Sequence, residues 1–136
     1  MIKVGIIGAG HIAQKRHLPA FRSYHKEVEV VAICGRDKAK TVAVAKEMQV
    51  ANAYADVSKM LSEHSLDMVS VCSPNYLHYT HVMQSLAAGC HVLCEKPPAI
   101  AVNEAVAMAK KSKEVNRRLG YNFCNRQLPE IEILQE

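Results

Sequence analysis

Short aliphatic runs alternate with amphipathic stretches along nearly the whole chain. Ile2-Lys3-Val4-Gly5-Ile6-Ile7, Val28 to Cys34, Met68 to Cys72 and Cys90 to Cys94 are β-branched or small-apolar runs. Such runs suit strands buried on both faces. Ala51 to Tyr54 and Arg118 to Phe123 are further strand candidates. Between them, His11 to Tyr24 reads as a helix, in which Pro19 predicts a kink or a break. Asp37 is placed as the N-cap of a second helix. Val57 to Ser62 is a short helix, and Tyr79, Val82, Met83 and Leu86 lie on one helical face that Gly89 ends. Val102 to Val115 is the last helix, with Val102, Ala105, Val106 and Ala109 as its expected apolar face. Ala101 precedes it, so Asn103 is the available polar cap.

About six strands alternating with about five helices predict parallel strands joined by right-handed crossovers. The fold class expected is α/β: a doubly wound parallel sheet, a Rossmann fold with three α/β/α layers. Residues 1–124 form the expected domain. Residues 125–136 begin a connection, with Leu128, Ile131 and Leu134 as an incipient apolar stripe.

Composition narrows this picture. The 136 residues fit one domain, and 49% hydrophobic with 22% charged residues is globular composition. Aromatics are 5% with no Trp, so the core must be aliphatic. The net charge of +4 is mild. The densest basic run, Lys110, Lys111, Lys113, Arg117 and Arg118, reads as a helix C-terminus rather than a nucleic-acid patch, because no aromatic residues interleave it. Five cysteines form no CxxC pair, which favours a reduced, cytoplasmic setting. No apolar stretch approaches the roughly 20 residues needed to span a membrane, and no signal peptide is evident. No nucleic acid or membrane is expected as a partner.

The chemistry concentrates at predicted strand tips. Gly8-Ala9-Gly10-His11-Ile12-Ala13 is GxGxxA between the first strand and the first helix. Gly8 permits the turn, Gly10 permits a pyrophosphate to approach the backbone, and Ala13 permits close helix–strand packing. His11 and Ile12 begin the helix, whose N–H groups face the phosphates. At the tip of the second strand, Gly35 stands where NAD sites carry an acidic residue, and Arg36 follows. A small residue plus a guanidinium fits a 2′-phosphate, so NADP is favoured over NAD. Asp37 swinging to the ribose would restore NAD. Ser73-Pro74-Asn75-Tyr76-Leu77-His78 and Cys94-Glu95-Lys96-Pro97-Pro98 follow the fourth and fifth strands, where ligands of open α/β sheets bind. Lys96 is the catalytic candidate, with Glu95 beside it, since an ammonium stabilises charge developing on a substrate oxygen. His78 and His81 have metal-compatible spacing but no evident third ligand, so no metal is expected. His17 is expected as a partly buried surface histidine.

These segments, GIIGAGHIAQKRHLPAF at 5–21, VCSPNYLH at 71–78 and HVLCEKPPAI at 91–100, resemble the Gfo/Idh/MocA family of nicotinamide-dependent oxidoreductases. The resemblance implies that Lys96 contacts cofactor and substrate, and that Ser73, Pro74, Asn75 and His78 lie against the cofactor. It implies hydride transfer between NAD(P) and a sugar, cyclitol or related polyol, with a possible homo-oligomer. Family members continue into a second domain that supplies much of the substrate pocket, so the chain is expected to be inactive alone. Where the family often has Arg-aromatic-x-Pro, this chain reads Asn125-Arg126-Gln127-Leu128-Pro129, and Arg126 does not align. The alternative is a stand-alone dinucleotide-binding module without catalysis.

Overall fold

The computed structural model describes residues 1–124; the expected stripe of Leu128, Ile131 and Leu134 lies outside the described residues. Six strands, β1 (Ile2–Ile7), β2 (Val28–Cys34), β3 (Asn52–Tyr54), β4 (Met68–Val71), β5 (His91–Glu95) and β6 (Leu119–Asn122), form one sheet in the order β3-β2-β1-β4-β5-β6. All its pairings are parallel. The helices are α1 (Leu18–Ser23), α2 (Lys38–Glu47), α3 (Val57–Glu63), α4 (His78–Ala87) and α5 (Val102–Glu114). This is the expected doubly wound Rossmann arrangement. The strand order reverses direction between β1 and β4, which opens a crevice at their carboxyl ends.

Each central strand serves two cores because alternate side chains point to opposite faces. On one face Ile7, Ala32, Cys34, Val69 and Val71 pack with Met60, Val82, Leu86 and Met108 from α3, α4 and α5. On the other, Val4, Ile6 and Ile33 pack with Ala13, Leu18, Val44 and Ala45. The aliphatic character expected from composition is what lets thin strands and helices interdigitate without large rings.

Three local expectations change. The stretch around Pro19 is neither a smooth kink nor a break: Ala13–His17 adopt a π-helical turn that runs into α1, with Pro19 in its first turn. A proline lacks the N–H and crowds the carbonyl four residues earlier, so widening the preceding turn accommodates it. The face of α5 is also rotated. Val102 and Val106 are exposed, at 82% and 61%, while Met108 is fully buried and Ala105 packs beside it. The i, i+4 valines formed a plausible stripe, but α4 and β6 pack against the side of the helix that carries Ala105 and Met108. Third, Asn103 does not cap α5. Ala101 is the N-cap, and the Glu104 carboxylate reaches back to accept the backbone N–H groups of Ile100 and Ala101 at 3.2 and 3.4 Å. Other ends behave as expected. Asp37 caps α2 by accepting the Lys40 N–H at 3.0 Å, and Gly89 ends α4 with φ of 81°.

Candidate functional site

Three strand tips converge on the crevice. Gly8 follows β1 with φ of 106°, and its N–H donates to the Cys34 carbonyl at 2.7 Å. A Cβ there would stand 2.5 Å from the Cys72 carbonyl carbon and oxygen. Gly8 is therefore demanded by the protein itself. Gly10 is different: a Cβ built on it meets nothing within 4 Å. No internal contact requires glycine there, and the open space is what close approach of a pyrophosphate needs. Gln14, which sequence reasoning passed over, folds back on this turn, donating from Nε2 to the Ala9 carbonyl at 2.9 Å. His11 is exposed and Ile12 is half-buried on the crevice wall.

At the tip of β2, Gly35 has a packing reason for its size. A Cβ on it would stand 2.5 Å from Thr41 Oγ1 and 3.1 Å from Ala9 Cβ. Its smallness, expected to reflect a 2′-phosphate, is required by the contact between the glycine turn and α2. Arg36 is exposed and has no partner among the described residues. Asp37 is occupied as the cap of α2.

The loops after β4 and β5 face each other across a cavity of about 200 Å³ lined by Ile12, Ser73, Asn75, His78, Glu95 and Lys96. Six of the residues expected at the site from sequence thus meet in one place. Pro74 and Asn75 are exposed at the rim, and the Asn75 side chain accepts the Tyr76 N–H at 3.0 Å. Gly35 and Arg36 lie apart from this cavity, at the β2 tip. His78 is buried at 1% exposure. Its Nδ1 stands 2.7 Å from the Pro97 carbonyl oxygen and its Nε2 2.8 Å from that of Ser73. The ring thereby staples the two loops together. His81 instead engages the Ser73 hydroxyl at 2.8 Å. Burial, and then the nearness of His78, hold His81 below its ordinary value.

Lys96 is exposed, and its ammonium has no partner among the described residues. The peptide joining it to Pro97 is cis. Its neighbour Glu95 is buried and heavily engaged. Glu95 Oε1 accepts from His17 Nε2 at 2.7 Å and from Asn122 Nδ2 at 2.6 Å, while Oε2 accepts the Lys96 N–H at 3.2 Å. His17 Nδ1 lies 2.8 Å from the Ser70 hydroxyl. Burial works to raise the Glu95 carboxyl, but the bonds from His17 and Asn122, then that from the Lys96 amide, outweigh it and hold it below 4.5. His17 is 5% exposed, so the expected surface histidine is a buried partner of the Glu95-Lys96-Pro97 (EKP) loop. Ser70, Asn122 and His17 were missed as a group. The available signal was Ser70, a hydroxyl inside the apolar run Met68 to Cys72, which must find a partner when buried.

The family model for Gfo/Idh/MocA, described as an oxidoreductase family with an NAD-binding Rossmann fold, matches residues 2–123. The chain belongs to this family. Among curated relatives of this Gfo/Idh/MocA chain, D-glucoside 3-dehydrogenase of Escherichia coli is 37% identical over 135 residues, covering 99% of the chain and 38% of that protein. D-xylose 1-dehydrogenase (NADP(+)) 2 of Haloferax volcanii is 38% identical over 132 residues, covering 97% of the chain and 40% of that protein. The WlbA dehydrogenase of Bordetella pertussis, solved with NADH and UDP-GlcNAcA, superposes with a TM-score of 0.92 at 26% identity, covering 98% of the chain and 40% of that structure. The chain thus spans about 40% of the length of such relatives. A Gfo/Idh/MocA Rossmann domain that binds a nicotinamide dinucleotide fits the crevice described.

Proposed function

We propose that this chain is the dinucleotide-binding part of an oxidoreductase that moves hydride between NAD(P) and a sugar, cyclitol or related polyol. The observation that carries the reading is the crevice between β1 and β4. There Ile12, two residues beyond the open Gly10, and the loops bearing Asn75 and Lys96 line one cavity. The bound nicotinamide would supply the hydride chemistry itself. The chain's part is to orient that ring and to place the Lys96 ammonium near the substrate oxygen, where it lowers the energy of a developing negative charge. The relatives named for glucoside and xylose oxidation support the substrate class. Because the chain covers less than half of them, the substrate wall is proposed to lie in a further domain, and these residues alone to bind without turnover.

Arg36 favours NADP, since its guanidinium is unpaired among the described residues and stands at the β2 tip. Titrating the 136-residue chain with NADPH and NADH, following nicotinamide fluorescence, tests both points. Arg36→Ala is expected to weaken NADPH by about 1.5–3 kcal/mol, the range for a charge-assisted bond, and to spare NADH. Equal losses would remove the argument for NADP. Saturable binding without turnover on a polyol panel supports the reading. Robust turnover by this chain would overturn the missing-wall argument, and absence of binding to both cofactors would overturn the whole reading.

A further inference from the structure

The EKP loop is gripped from beneath by a network that the proposed chemistry does not use. Four side chains from four separate elements form one chain of hydrogen bonds: Ser70 on β4 pairs with His17 in the π-helical turn, and His17 and Asn122 on β6 both donate to the Glu95 carboxylate at the end of β5. Ser70, His17 and Glu95 are at most 5% exposed. A buried histidine and carboxylate are costly to desolvate, and an apolar pair would pack there more cheaply. The network's geometry gives a reason for the cost. Glu95 presents one oxygen to His17 and Asn122 and the other to the amide of Lys96. The carboxylate is thus fixed from two sides, and through it the backbone that aims the Lys96 side chain. The wide turn at Ala13–His17 is what brings His17 to β5, because a π-helical turn shifts the side chains that follow it to a new azimuth.

The geometry points to His17 as a positioning residue: through Glu95 it sets the direction of Lys96 at the mouth of the cofactor cavity. This deepens the proposed function and rests on it for the role of Lys96, though not for the coupling between the two residues. His17 does not itself line the cavity and makes no hydrogen bond to Lys96; its link to the lining is Glu95. Its effect must therefore pass through the carboxylate. The glycine turn and the EKP loop then form one mechanical unit, since His17 sits seven positions after Gly10 on the helical segment leaving that turn.

The test reads Lys96 itself. The lysines of the full chain are dimethylated with 13C-formaldehyde, and the Lys96 signal is assigned by its loss in Lys96→Arg. His17→Leu is expected to change the position and pH titration of that signal. His17→Gln, whose amide can still donate to Glu95, is expected to keep both near those of the parent. NADPH affinity is measured on the same variants and on Lys96→Ala. His17→Leu should weaken NADPH by about threefold or more, and the loss should not add to that of Lys96→Ala. A folded His17→Leu chain with an unchanged Lys96 signal overturns the proposal, as do fully additive losses. Should His17→Leu fail to fold, Asn122→Ala removes the other bond to the same oxygen and must shift the same signal; an unmoved signal there also overturns it. If Lys96→Ala leaves NADPH affinity intact while the Lys96 signal still responds to His17, the positioning stands and the contact of Lys96 with the cofactor falls.

Discussion

Gly8 and Gly10 sit two residues apart in one motif, and the structure assigns them opposite sensitivities. Gly8→Ala would force a side chain into a backbone with φ of 106° and place its Cβ 2.5 Å from the Cys72 backbone. The conformation costs about 1–3 kcal/mol. Displacing packed backbone adds about 1–3 kcal/mol more. The sum, about 2–6 kcal/mol, is a large share of the roughly 5–15 kcal/mol that holds a domain together. Gly10→Ala meets no atom within 4 Å. Its φ is outside the left-handed region, so stability should stay within about 0.5 kcal/mol of the parent. Its Cβ would instead occupy the approach to the pyrophosphate and weaken NADPH about tenfold or more, equivalent to about 1.4 kcal/mol. Urea unfolding followed by circular dichroism suits a chain without Trp, and NADPH titration reads the second effect. If Gly10→Ala bound NADPH like the parent, the glycine turn would not be the phosphate site. If the two variants were equally destabilised, the packing reasoning would fail.

Other outcomes follow from the same geometry. Glu95 is held below its ordinary value in the folded state, so its stabilisation is complete above about pH 4.5 and is lost as pH falls through the folded value. Glu95→Gln should therefore flatten part of the acid limb of a stability-versus-pH curve, and an identical limb would refute this. Burial pushes the Cys72 and Cys94 thiols up to about 12, and Cys34 to about 11. Alkylation at pH 7.5 followed by peptide mass analysis should leave these three unmodified in the native chain and label them only on unfolding. On α5, Met108→Ala should cost about 2–5 kcal/mol, whereas Val106→Ala should lie within about 0.5 kcal/mol of the parent. Comparable urea midpoints for the two would contradict the helix orientation.

Most of the fold was legible because it rests on local signals. The β-branched runs of β1, β2 and β4 carry their own burial, and Asp37 and Gly89 punctuate helices by side-chain and backbone chemistry that acts within a few residues. The misreadings share a cause. Of the expected face Val102, Ala105, Val106 and Ala109, only Ala105 packs on the core, and Met108, which the pattern did not single out, is the buried residue beside it. Pro19 announces a disturbance, but the form it takes depends on where Leu18 and His17 must land. At the candidate crevice, the placement of Gly8, Gly10, Ser73, Asn75 and Lys96 beyond strand tips was legible because short motifs hold them there. The Ser70–His17–Glu95–Asn122 network was not, since its members are separated by up to about a hundred residues and meet only when β4, β5 and β6 lie side by side.

The tight contact at Gly35 also bears on redesign of cofactor choice. The usual single exchange, an acidic residue at the end of the second strand to favour NADH, has no room to succeed here while Thr41 keeps its hydroxyl 2.5 Å from the new Cβ. That hydroxyl is itself tethered, donating to the Asp37 carbonyl at 2.6 Å. Gly35→Asp is therefore best paired with Thr41→Ala, which removes that hydroxyl. Varying position 35 alone sets each new side chain against the Thr41 hydroxyl.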